Sequence, residues 1–159
     1  MVHADPMPVP TLSLPLASEA DTQALGGRLA GHCRPGDVIA LYGDLGAGKT
    51  TLARALIRRL AGPEAEVPSP TFTLVQTYPT ARLPVWHVDL YRLEGAREAR
   101  ELGLEDAASG LCLIEWPERL GADLPAARLE VRLSFDGSGR IARLLDHDDW
   151  SSRLDGDWR

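Results

Sequence analysis

The chain contains no asparagine, and of its 17 lysine and arginine residues only one, Lys49, is lysine. Without asparagine, the Asn-Lys-x-Asp segment by which GTPases read guanine cannot exist. Cysteine is scarce as well. Cys33 and Cys112 stand far apart without metal-ligand spacing, which excludes a disulfide framework or a thiolate metal site and predicts two reduced thiols. No apolar run approaches the ~20 residues needed to cross a bilayer. The opening MVHADPMPVPTLSLPL has neither the basic nor the apolar region of a signal peptide. These absences predict a soluble, cytoplasmic protein with no membrane partner. Positive charge is in deficit too: a net charge of -6 and a pI near 5.2 argue against gripping nucleic acid by a bulk field. Arg54, Arg58 and Arg59, on one predicted helix, are candidates for a local basic patch but read first as a solvated face.

What remains is an ordinary globular composition, 44% hydrophobic and 25% charged over 159 residues, sufficient for one domain with a core of its own. Residues 1–10 hold three prolines and read as a flexible tail ahead of a single domain over 11–159. TLSLPL (11–16) alternates like a strand, and Ser18 with Asp21 forms a variant capping box opening a helix whose stripe is Leu25, Leu29 and Ala30. Residues 38–42 read as a buried strand and 49–60 as a helix stopped by Gly62-Pro63. Further strands are expected at 72–78, 83–90 and 111–116, the last halted by Pro117, with one or two short helices over 94–110. Residues 127–135 and 140–145 form a predicted hairpin, and 146–159 suggests a short helix docking Trp150 and Leu154. Early alternation of strands and helices, closed by an antiparallel pair, predicts an α/β fold: a mostly parallel sheet with antiparallel additions and flanking helices.

Between the strand and the helix lies Gly43-Asp44-Leu45-Gly46-Ala47-Gly48-Lys49-Thr50-Thr51, a complete Gly-x4-Gly-Lys-[Ser/Thr] phosphate loop in its expected context. A triphosphate needs many donors at close range, which bare backbone N–H groups supply where side chains are absent. The helix beginning there points its free N–H groups and positive dipole end at the anion. Lysine places a compact charge on a flexible stem, whereas arginine carries a wide planar fork. That difference accounts for the one lysine in an arginine-rich chain. Thr50 would offer its hydroxyl to Mg²⁺.

Magnesium held through phosphates takes a carboxylate from a neighbouring strand end. Asp89 closes VWHVD and Glu115 closes LCLIE. Asp89 would hold the metal directly or through water, while Glu115 would complete its shell or orient the attacking water; their order stays open, as does a plain strand-end role. Thr71, in Ser69-Pro70-Thr71-Phe72, falls where nucleotide-sensing switches occur, or else in a rigid proline turn. His87 lies two before Asp89 and shares its face, reading as a core histidine rather than a catalytic one; Trp116, beside Glu115, packs near the site or, by default, anchors the core. No Leu-Ser-Gly-Gly-Gln stretch is present, so the chain is not an ABC cassette. A small-molecule kinase is the alternative, with Arg92, Arg97 and Arg100 as its ambiguous lid arginines.

Four blocks in order, GDLGAGKTT (43–51), VPSPTFTLVQTY (67–78), HVDLYRL (87–93) and LIEWPERL (113–120), closely resemble the TsaE (YjeE) family of tRNA threonylcarbamoyladenosine biosynthesis ATPases. The resemblance implies a compact P-loop NTPase fold. It implies slow, Mg²⁺-dependent ATP hydrolysis supporting a TsaD–TsaB pair that transfers threonylcarbamoyl to an adenosine beside the anticodon. Carried across by position, the nucleotide-site residues are the loop with Lys49 and Thr50, then Asp89, Glu115, Thr71, Trp116 and Thr22 of the first helix. The loop helix reads TTLARAL where the family often has a Phe and a Gly, a change expected to alter packing rather than chemistry.

Overall fold

The computed structural model describes residues 12–70 and 74–154. The predicted tail and Thr71 lie outside them.

Seven strands form one sheet: β1 (Leu12–Leu16), β2 (Val38–Tyr42), β3 (Val75–Tyr78), β4 (Val85–Asp89), β5 (Leu111–Glu115), β6 (Leu129–Asp136) and β7 (Gly139–Asp146). Their order is β1-β7-β6-β2-β5-β4-β3. The central β6-β2-β5-β4 run is parallel, while β1–β7, β6–β7 and β3–β4 are antiparallel. The helices are α1 (Glu19–Ala30), α2 (Lys49–Ala61), α3 (Ala96–Glu101) and a single C-terminal turn, α4 (Trp150–Arg153). The architecture is the mixed α/β sheet with flanking helices that the sequence predicts.

Strand alternation divides the core. Leu111 and Leu113 of β5, with Ile39 and Leu41 of β2, face α1 and α2 in one cluster; Cys112 and Ile114 face the second cluster with Ala99, Ala107 and Leu120. Leu52, Leu56 and Ile57 of α2 are wholly buried in the first, each contributing about 1.5–3 kcal/mol by the apolar area removed from water. Helices α1 and α2 meet at Gly26, where a Cβ would come 2.5 Å from the Leu52 carbonyl oxygen.

Helix α1 begins with the predicted capping box, Ser18 Oγ accepting from the Asp21 N–H at 3.3 Å and Asp21 reaching back to the Ser18 N–H. At its other end Arg82 donates to the Ala30 carbonyl at 2.6 Å and the Cys33 carbonyl at 2.5 Å, closing orphan acceptors of the last turn. Arg54 and Arg58 do more than present a solvated face. Their Nε groups donate to the Val67 and Ala65 carbonyls at 2.8 and 3.1 Å, fastening the chain that leaves α2. Pro117 does not simply end β5 but starts a 3-10 turn over Pro117–Asp123. The C-terminal turn buries Trp150 and Leu154 and is held by Arg153, whose fork meets Asp37 at 2.6 and 3.0 Å. No helix among the described residues is long and apolar enough to cross a membrane.

Candidate nucleotide site

The loop joining β2 to α2 owes its path to glycine. Gly48 caps α2 at φ 108°, in the left-handed region that costs other residues strain. At Gly43 a Cβ would sit 2.7 Å from the Leu133 carbonyl oxygen, so a larger residue would push the loop off β6. The first N–H groups of α2 have no partner within the helix and open onto a cleft of about 360 Å³.

That cleft is lined by the loop from Asp44 to Thr51, by Ser69, and by Asp89, Tyr91, Glu115 and Trp116. Lys49, Thr50, Asp89 and Glu115 are therefore brought together although 66 residues separate the first from the last in sequence. The reason is parallel pairing. Asp89 stands opposite Glu115 where β4 and β5 end, and both strands end at the level where β2 enters the loop.

Lys49 is only 6% exposed. Its ammonium donates to the Gly43 carbonyl and lies 3.7 Å from the centre of the Trp116 ring. Burial pulls this amine below the ordinary lysine value, and the charges of Glu115, Glu118, Asp89 and Asp44 pull back. Thr50 Oγ1 donates to Glu115 Oε1 at 2.8 Å. The other Glu115 oxygen lies 2.6 Å from Nε2 of His87, which is fully buried. Asp89 Oδ1 accepts the Tyr91 N–H at 2.9 Å, folding the chain tightly after β4.

Trp116 adopts a left-handed backbone, φ 59° and ψ 49°, rare for a bulky residue and commonest at functional sites. The turn swings its ring over Lys49 and against Tyr91, whose centroid is 5.0 Å away. Trp116 thus lines the cleft while still packing, partly buried, against the second core cluster. Leu74, also left-handed at φ 65°, is pinned by hydrogen bonds to Pro70 and Asp89 at 2.7 and 2.8 Å.

A second cavity, about 200 Å³, adjoins the loop on its other side, lined by Ser18, Thr22, Gly46, Gly48, Thr51, Ser138 and Arg140 among others. Thr22 is placed there, against Gly48. Sequence reasoning missed Arg140, which stacks on Phe135 at 4.3 Å and donates to the Gly46 carbonyl at 3.2 Å. Its signal was its position just beyond the Gly-Ser-Gly turn, opposite Phe135 in the hairpin. Tyr91 was missed as well, though it follows Asp89 by two.

Among the described residues no group of three or more His, Cys, Asp or Glu could hold a metal ion. Magnesium seldom uses such a cage; one or two carboxylates plus phosphates suffice. The donor set of Thr50, Asp89 and Glu115 fits that pattern.

A family model described as "Threonylcarbamoyl adenosine biosynthesis protein TsaE" matches residues 16–143. Among relatives named tRNA threonylcarbamoyladenosine biosynthesis protein TsaE, that of Rickettsia felis is 40% identical, spanning 88% of this chain and 83% of its own. That of Bacillus subtilis is 41% identical over 74% of this chain and 73% of its own. The crystal structure of Bacillus subtilis YdiB superposes with a TM-score of 0.75 at 29% identity, covering 90% of each chain.

Proposed function

The chain belongs to the TsaE family, with a P-loop NTPase fold, and from that premise we propose that it is the Mg²⁺-dependent ATPase of the machinery modifying the adenosine next to the tRNA anticodon. It binds ATP, hydrolyses it slowly to ADP and phosphate, and supports turnover of a TsaD–TsaB pair in the cytoplasm, its link to tRNA being indirect. The observation that carries the reading is the convergence of Lys49, Thr50, Asp89 and Glu115 on one cleft at a glycine loop.

In this reading the triphosphate enters the loop, and the Lys49 ammonium leaves the Gly43 carbonyl and the Trp116 ring for the β- and γ-phosphates. Free N–H groups at the start of α2 meet the same oxygens. The adenosine extends to the cavity beside Thr22, Ser18 and Arg140. Thr50, Asp89 and Glu115 would hold magnesium, which when bound neutralises charge developing on the phosphates. The two carboxylates also orient the water opposite the leaving group. Thr71 belongs to this site by its place in the sequence.

The kinase alternative calls for arginines closing over the cleft. None of Arg92, Arg97 and Arg100 lines it, and Arg97 pairs with Glu101 at 3.5 Å while 94% exposed. The deciding measurement is phosphate release from ATP and magnesium, with and without TsaB–TsaD. Turnover without an acceptor, strongly stimulated by the pair, is expected. ATP binding with no hydrolysis even beside the pair would overturn the ATPase reading.

A further inference from the structure

We propose that His87 is a positioning residue for this site, fixing the Glu115 carboxylate so that one oxygen stays on the Thr50 hydroxyl. The proposal rests on the ATPase reading above. Glu115 is 2% exposed, and a carboxylate so enclosed requires donors. It has two, one per oxygen: Thr50 Oγ1 at 2.8 Å and His87 Nε2 at 2.6 Å. Thr50 alone would leave the carboxylate free to turn about its last torsion. A donor on the opposite oxygen fixes its plane.

The imidazole is one-sided. An ionised carboxylate only accepts, so Nε2 carries the hydrogen. Nδ1 is buried and, among the described residues, has no hydrogen-bond partner. A bare lone pair there is cheaper than an orphaned N–H, which assigns the Nε2–H tautomer. Among the described residues, Glu115 is then the hydrogen-bond partner of the His87 ring. On its own face of β4 His87 lies between Val85, wholly buried, and Asp89, with Leu113 across the register on β5 and Gln76 across it on β3. A fully buried imidazole is costly to keep without a partner, and the Glu115 carboxylate is that partner. Because Thr50 is the residue proposed to meet magnesium, the chain His87–Glu115–Thr50 transmits orientation from the sheet interior to the metal position, as buried partners of ligating groups do.

The test compares His87→Leu, which keeps the bulk and removes the donor, with His87→Gln, whose amide nitrogen reaches the same oxygen. Three quantities are read: kcat and KM for ATP, Mn²⁺ affinity of the ADP-loaded protein by EPR, and ADP affinity in EDTA. His87→Leu is expected to lower kcat and Mn²⁺ affinity by about 10–100-fold, leaving metal-free ADP affinity and KM nearly unchanged; His87→Gln should restore most of both. In a Glu115→Gln background, His87→Leu should add little further loss of Mn²⁺ affinity, because it acts through Glu115. Equal losses of ADP and Mn²⁺ affinity with no rescue by glutamine, or a full effect in the Glu115→Gln background, would overturn the proposal. Should His87→Leu fail to fold, ¹⁵N–¹H correlation of the wild-type imidazole decides: a proton on Nε2 is expected, one on Nδ1 refutes it. A wild-type protein without turnover would sink the ATPase reading, while the imidazole spectrum would still report on the Glu115 contact.

Discussion

Replacing Lys49 by arginine keeps the charge and tests whether the loop needs a point or a fork. The lysine is 6% exposed, with the Gly43 carbonyl and the Trp116 ring as neighbours of its ammonium. A guanidinium brings five N–H donors where the ammonium has one hydrogen-bond acceptor, the Gly43 carbonyl. Each buried donor left unpaired costs about 1–3 kcal/mol, so two or three orphans exceed any stacking gained on Trp116, and the side chain leaves the loop. The phosphates then lose the same contact that alanine would remove, worth about 3–4 kcal/mol of transition-state stabilisation, or roughly 10²–10³ in rate. Steady-state phosphate release by wild type, Lys49→Arg and Lys49→Ala reads this directly, with circular dichroism as the control for folding. The two variants should fall together. Lys49→Arg turning over at near wild-type rate would refute the geometric argument, and Lys49→Ala doing so would refute the site.

Three further outcomes concern the scaffold. Burial tends to raise the Glu130 carboxyl, but hydrogen bonds from Arg128 and Arg132 at 2.7 and 2.8 Å outweigh it and hold the group below its ordinary value of 4.5. A depressed folded-state value gives stability that is present above 4.5 and lost as pH falls through the lower one. Glu130→Gln should therefore be about 2–3 kcal/mol less stable at pH 7, with a gap that narrows in acid; urea titrations showing a constant gap would contradict this. Gly26→Ala should lower Tm, since overpacking against the Leu52 carbonyl costs about 1–3 kcal/mol while the helix gains only about 1; a raised Tm would show that α1 and α2 can part freely. Arg153→Leu strands Asp37, 5% exposed, with the Arg34 N–H at 2.6 Å as a remaining donor; calorimetry should record a loss of about 3–5 kcal/mol, and an unchanged Tm would mean the C-terminal turn docks without that pair.

Where function follows from one segment's own pattern, the sequence was legible. The glycine loop, the α1 capping box and the closing hairpin each declare themselves within a few residues, because turn chemistry and period are local. The face shared by His87 and Asp89 was legible for the same reason, since alternation along a strand needs no partner. What His87 touches was not, because its partner lies 28 residues away on another strand and depends on the register between them. Arg54, Arg58 and Arg153 were opaque for a related reason: a long side chain's target carbonyl or carboxylate is set by tertiary path, not by spacing.

Trp116 shows the limit most sharply. A residue before proline is expected to be extended. Here the backbone turns left-handed, and the ring leaves the strand line to meet Lys49 and Tyr91. That conformation costs about 1–3 kcal/mol, so it persists only because neighbours over-determine it. The lysine supplies part of that constraint. The single ammonium explained by phosphate geometry is also what the strained ring rests against in the folded chain. If Lys49 meets phosphates as proposed, its resting place and the phosphate site compete for one charge. On the proposed reading, incoming phosphates must displace a carbonyl and a ring already in contact with the Lys49 ammonium.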